Sequence, residues 1–322
     1  MTPPEPSLAA YPRPLARYFA ATRPAFLSVT LVACLLGLAG AVSSGLAING
    51  LTAALTVLFA LVTHAGVNVL NDYYDARNGT DSANTARLFP FTGGSRFIQN
   101  GVLSPAATAT FGYALLATVI PAGLWLAWQS GPGLVVIGLL GLLAGWAYSA
   151  PPLQLVSRGL GEIAITLGWL AVVVGSDYVQ RHGFSWQPVA LGLPYALLVA
   201  NLLFINQFPD RQADTQAGKA TLVVRLGPGT ARWLYLGIAL FAYLWLILLI
   251  GLDRLPQRAA LGALTAPLSL HAGRMLLADA ERPEALLTPI QLTILAANLH
   301  GLLLALGLWL AGPGASWRPP AF

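Results

Sequence analysis

The chain of 322 residues holds one cysteine and one lysine, and only 9% of its residues are charged. A single thiol, Cys34, excludes an intrachain disulfide framework. Soluble domains carry about a quarter charged residues. With 56% hydrophobic residues and a mean hydropathy of +0.68, the chain has more apolar side chains than a water-soluble core of this length can bury. Lipid must cover the surplus, so the expected class is an all-α polytopic membrane protein. No small-residue cleavage site follows a short apolar stretch at the N-terminus, so the expectation there is an uncleaved, proline-rich cytosolic arm over 1–25 and not a signal peptide. Acids are scarce too: twelve, against sixteen arginines and Lys219, for a net charge of +5. That excess can signal nucleic acid, but membrane topology accounts for it, and no nucleic-acid partner is expected.

What is abundant is long apolar runs, each able to cross a hydrocarbon core of roughly 30 Å as a helix. They fall near 26–48, 51–72, 105–128, 131–149, 161–180, 188–208, 230–251, 258–277 and 288–311. About nine spans are expected in one transmembrane domain over 26–312, with a short tail over 313–322. Placing the N-terminus in the cytosol puts thirteen basic residues inside and leaves four outside: Arg181, Arg254, Arg258 and Arg318. This positive-inside bias fixes the orientation, with the C-terminus outside and an inner cell membrane as the expected location. Trp125, Trp128, Trp186 and Trp317 fit an outer aromatic belt. The longer polar loops, 73–104 and 209–229 above all, then face the cytosol.

Those two loops carry the chemistry. In "VNVLNDYYDARNGTD", Asn68, Asp72 and Asp75 share a helical face by the i+4 and i+3 spacings, and Asn71 pairs with Asp75 in the same way. Gly79 is placed to end the helix, so that Asp81 can fold back toward the acids. In "NQFPDRQADTQAGKATLVVRLG", Asp210 and Asp214 are one helical turn apart, and Pro209 is expected to break the span. Carboxylates packed on one face repel each other unless a cation sits among them. Oxygen ligands of this kind suit Mg2+, which binds one or two carboxylates plus phosphate oxygens. Two acidic clusters with Lys219 and Arg225 within reach therefore describe a site for a metal-bridged diphosphate. The competing reading makes the acids the ion site of a cation-coupled transporter, which would place them at mid-span and not at span ends. His64, His271 and His300 stand singly, without a cysteine or carboxylate at ligand spacing, and read as packing residues and not haem or zinc ligands. Arg158 and Glu162, four apart, read as a structural ion pair. Asp177 falls at the outer end of its span, with no catalytic role.

The two aspartate motifs, with "AYSAPPLQLVSRGLGEI" between them, resemble those of the UbiA superfamily of membrane prenyltransferases. The segment "FTGGSRFIQNGVLSP" and the ending "GKATLVVRLG" are most similar to the branch containing 1,4-dihydroxy-2-naphthoate prenyltransferases. The resemblance implies a nine-helix bundle around a central cavity that opens to lipid and is capped on the cytosolic side. It implies two Mg2+ ions, one held by Asp72, Asp75 and Asp81 and the other by Asp210 and Asp214. Asn68, Asn71 and Asn206 would support the diphosphate or metal-bound water, while Lys219, Arg96 and Arg77 would stabilise the departing diphosphate. The substrates implied are a polyprenyl diphosphate and an aromatic quinone precursor. A 4-hydroxybenzoate, a porphyrin or chlorin, or a lipid alcohol remains open as acceptor. Tyr148 either shields an allylic carbocation with its ring or is an ordinary interfacial tyrosine.

Overall fold

The computed structural model describes residues 4–312, so Trp317, Arg318 and the 313–322 tail lie outside the described residues. The chain is helical almost throughout. A short helix α1 (Pro14–Ala21) precedes α2 (Ser28–Ser43), which a 3-10 turn at Pro24–Leu27 introduces. Then follow α3 (Gly50–Asn78), the single turn α4 (Thr80–Ala83), α5 (Pro105–Ser130), α6 (Gly133–Ser149), α7 (Gly161–Arg181) and α8 (Trp186–Gln216). After α9 (Leu222–Leu226) and α10 (Pro228–Gly251), a 3-10 stretch at Gln257–Thr265 runs into α11 (Ala266–Asp279), and α12 (Leu287–Ala311) ends the described chain.

Seven of these helical segments are long and apolar enough to cross a membrane, while Gly133–Ser149 is apolar but shorter. Exposure agrees with lipid as the solvent. Trp125, Trp128, Trp186, Leu139, Leu244 and Trp309 all lie on the outside. Without water to drive helix association, close backbone approach has to do it. Gly66 and Gly112 provide this between α3 and α5, since a methyl group on Gly112 would overlap the side chain of Leu70 at 2.8 Å.

The helix ends follow from local sequence. The Asn49 side chain accepts from the backbone N–H groups of Leu51 and Thr52 and so starts α3. Gly79, at φ +86°, stops it as its C-cap. Two expectations need correction. The span expected to end at 72 continues to Asn78, so the first acidic motif is helical through Asp75. Pro209 does not break α8, which runs to Gln216 with Pro194 and Pro209 inside it. A proline costs one helical hydrogen bond, and a helix packed on all sides by neighbours tolerates that loss.

Candidate active site

α3 and α8 carry their acidic turns to the same end of the bundle. There they close a cavity of about 510 Å³ whose lining includes Asn68, Asn71, Asp75, Asp81, Tyr148, Asn206, Asp210, Asp214 and Lys219. Along α3 the lining extends from Thr56 to Asp75, about 28 Å at about 1.5 Å per residue. The deep part is apolar, with Val119, Leu124, Leu134, Val135 and Val179 on its walls.

Each acid is held differently. Asp75 accepts from Asn71 at 3.0 Å and from Asn78 at 3.2 Å, and the Lys219 ammonium lies 2.9 Å and 3.0 Å from its two oxygens. Lys219 also reaches Asp214 at 3.8 Å, and Thr221 donates to the other oxygen of that carboxylate at 3.3 Å. Burial disfavours the ammonium, but Asp75, Asp214 and Tyr148 outweigh it and hold Lys219 above its ordinary range. Asp72 accepts from the Ser95 backbone at 3.1 Å, and Asp210 from Asn84 at 2.5 Å. Asp81 is buried in the turn beyond α3. Burial first, then Asp75 and Asp72, push its carboxyl well above the usual range, with Lys219 opposing.

The loop between α4 and α5 roofs this constellation. Gly94, at φ +73°, passes so close that a methyl group there would overlap the Asp81 carboxylate and lie 3.1 Å from Asp72 Oδ1. Arg96 is buried and donates to the Asp81 carbonyl, while Gln99 donates to the Asp81 carboxylate at 3.4 Å. Arg96 thus sits behind the acids and not in the cavity wall. Arg77 is exposed, stacks 5.7 Å from the Tyr73 ring centroid and donates to the Tyr73 hydroxyl, away from the cavity.

The donor set is compatible with a hard cation. Asp214 Oδ1, Asn206 Oδ1 and Asn84 Oδ1 are buried oxygens without a hydrogen-bond partner, and a buried orphan acceptor is costly unless something binds it. Among the described residues, however, no three acidic, histidine or cysteine side chains are already gathered into a metal cage. Lys219 occupies part of the space between the motifs.

Sequence reasoning missed several lining groups. Arg23 lies on the cavity wall with its guanidinium 4.6 Å above the Phe26 ring. His64, read as packing, also faces the cavity, with Thr30 at 2.9 Å from its Nδ1 and Trp169 edge-on. A polar residue on an apolar span was the available signal. Arg158 and Glu162 are not paired. Arg158 donates to the Pro152 carbonyl at 2.8 Å, and Glu162 accepts from Gln207 on α8. A 3-10 turn at Leu155–Arg158, closed by Gly159 at φ +71°, separates the two from a common helix and defeats the i+4 reading.

The UbiA prenyltransferase family model matches residues 26–299. The chain belongs to the UbiA prenyltransferase family. It is 30% identical over 262 residues to the 1,4-dihydroxy-2-naphthoate octaprenyltransferase of Mycobacterium leprae (strain TN), covering 80% of this chain and 84% of that one. It is 29% identical over 326 residues to the 2-carboxy-1,4-naphthoquinone phytyltransferase of Synechocystis sp. (strain ATCC 27184 / PCC 6803 / Kazusa), covering 97% and 99%. The fold matches a UbiA homolog from Archaeoglobus fulgidus bound to GPP and Mg2+, with a TM-score of 0.61, 16% identity and coverage of 89% and 99%. The protein is therefore an integral-membrane prenyltransferase with a UbiA-like fold.

Proposed function

We propose that this UbiA-family enzyme moves a polyprenyl group from its diphosphate to an aromatic quinone precursor of the naphthoate class. The observation that carries this reading is the joining of both acidic motifs and Lys219 at the polar end of one largely apolar cavity whose lining runs about 28 Å along α3. A chain of isoprene units fits along Val119, Leu124, Leu134 and Val135, with its diphosphate at the acids. The relatives named above, an octaprenyltransferase and a phytyltransferase, favour a long tail and a naphthalene ring.

In this reading Asp72, Asp75 and Asp81 hold one Mg2+, and Asp210 and Asp214 a second. Bound metal supplies Lewis acidity toward the diphosphate oxygens. Asn68, Asn71 and Asn206 orient the headgroup, and Lys219 neutralises charge that grows on it as the allylic C–O bond breaks. Diphosphate leaves with the electron pair. The electron-rich ring carbon bonds to the allylic carbon, and a base then takes the proton from that carbon and restores the aromatic ring. Tyr148, on the cavity wall, presents its ring to the carbocation. Arg96 acts through the loop that holds Asp81, and Arg77, turned onto Tyr73, has the weakest claim to a role.

Gly133–Ser149 and the Gln257–Asp279 segment complete a nine-span bundle, with the acidic cap and the N-terminus on the cytosolic face of a bacterial inner membrane. The test is to supply candidate acceptors with one radiolabelled prenyl diphosphate and Mg2+. Asp75→Ala and Asp210→Ala should each abolish turnover in protein that still folds and inserts. Full activity in both would defeat the metal assignment, and transfer only to a non-naphthoate acceptor would defeat the acceptor class.

A further inference from the structure

The N-terminal segment does not trail away from the bundle. The Glu5 carboxylate accepts from Arg87 Nε at 2.7 Å, lies 2.6 Å from Arg87 Nη2, accepts from Asn100 at 3.1 Å and faces Arg96 Nε at 3.7 Å. Asn100 also donates to the Pro6 carbonyl. Tyr11 packs on Phe97 with ring centroids 5.2 Å apart, and Tyr18 packs on Phe111 at 4.9 Å. Ala21 shares a small core with Phe97, Val102 and Leu103.

All but one of these partners lie on the loop from Asn84 to Ser104. That same loop fixes the acids: Asn84 binds Asp210, Ser95 binds Asp72, Arg96 and Gln99 bind Asp81, and Gly94 lies against both Asp72 and Asp81. The loop has no helix or strand to stiffen it between α4 and α5. Burial first, and then the neighbouring Arg87, disfavour the charge of Arg96, and the Glu5 carboxylate faces both guanidiniums.

We propose that residues 5–23 form a strap across the roof of the active site and that Glu5 is its latch. Glu5 is thereby a positioning residue for binding and release of the diphosphate. The inference rests on the prenyl diphosphate reading of the acidic site. Loosening the strap lets the roof sample open arrangements, and an affinity that needs the ordered roof falls by the fraction of time it is ordered.

The experiment uses the full chain in detergent or nanodiscs, with Glu5→Gln, Tyr11→Ala and Asp210→Ala variants. Glu5→Gln, which loses a charge-assisted contact, and Tyr11→Ala, which loses a ring contact, should each raise the KM for prenyl diphosphate about three- to tenfold. The inhibition constant of inorganic diphosphate should rise by the same factor, with acceptor KM unchanged and kcat undiminished. Hydrogen exchange over 84–104 should quicken in both variants and slow again when Mg2+ and inorganic diphosphate are added. Unchanged KM and inhibition constants overturn the proposal. So does a fall in kcat alone, which is the signature of a merely structural role. Should Glu5→Gln fail to fold, Tyr11→Ala decides on the same readings. Turnover by Asp210→Ala would instead defeat the underlying site assignment, whatever Glu5 does.

Discussion

Lys219 and Asp75, separated by 144 positions in the chain, form a salt bridge of 2.9 Å inside the cavity that both acidic motifs line. The side chains are about equally buried, 10% and 11% exposed. The only lysine of the chain therefore stands between the two acidic motifs, facing Asp75 and Asp214 where little water reaches them.

Replacing that lysine separates a structural from a catalytic contribution. Lys219→Met should lower stability by about 3 kcal/mol, because it leaves a buried carboxylate without its partner. Mg2+ should recover more of that loss than it adds to the parent protein, since a cation replaces the missing ammonium. Turnover should remain low even at saturating Mg2+, as the departing diphosphate loses a donor. Thermal unfolding with and without Mg2+, alongside diphosphate release, reads both effects.

Gly94 gives a sharper test of the roof. Gly94→Ala should cut turnover about a hundredfold, since small displacements of reacting groups carry penalties of that size. Gly101, on the same loop at φ +68°, faces open space where a methyl group would be added. Gly101→Ala should therefore cost only left-handed backbone strain, about 1 kcal/mol, and keep near-parent turnover. Equal losses in the two variants would show that strain and not crowding of Asp72 and Asp81 is responsible.

Relationships along a single helix were legible in the sequence. The Asn71–Asp75 pair and the Gly79 stop both follow from one-turn spacing, and both are present. The bilayer forces apolar runs into helices, so most spans could be placed within a few residues. Contacts that join distant irregular segments left no such trace. Nothing periodic links Glu5 to Arg87, 82 positions away, or brings Gly94 onto Asp72. The expected Arg158–Glu162 pair is missing for the opposite reason, because helical spacing does not carry across a 3-10 turn and a left-handed glycine. At Pro209, packing around α8 outweighs the local preference for a break.

The strap should be sensitive to acid. Burial raises the Glu5 carboxyl, but hydrogen bonds from Asn100 and Arg87 and the charges of Arg87 and Arg96 outweigh it and leave its pKa lowered. A carboxylate whose folded pKa is depressed contributes stability above its unfolded value and loses it as pH falls through the folded one. The roof should thus stay latched above the ordinary carboxylate range, near pH 4.5, and loosen below it. Limited proteolysis of 84–104 across that window should show the transition in the parent protein. Glu5→Gln should be open at every pH, and an identical profile in the two proteins would exclude Glu5 as the titrating group.

At the opposite end of the bundle, Asp177 is 1% exposed and accepts from Arg181 at 2.6 Å and 2.8 Å. Arg181 also donates to Ser44 at 3.0 Å, and Gln187 donates to Ser43 at 3.2 Å, so the network ties α2, α7 and α8 together. Each of these contacts lies outside the cavity lining except through Ser176, the neighbour of Asp177. The position predicts stability without chemistry. Asp177→Ala removes one partner of a buried ion pair and should destabilise the protein by about 3 kcal/mol. The folded fraction should keep parent values of kcat and of KM for both substrates. Thermal unfolding in detergent, with turnover normalised to folded protein, measures the two quantities separately. A shifted KM for prenyl diphosphate would mean that the clamp also sets the depth of the cavity, because Ser176 lies on its wall one residue away.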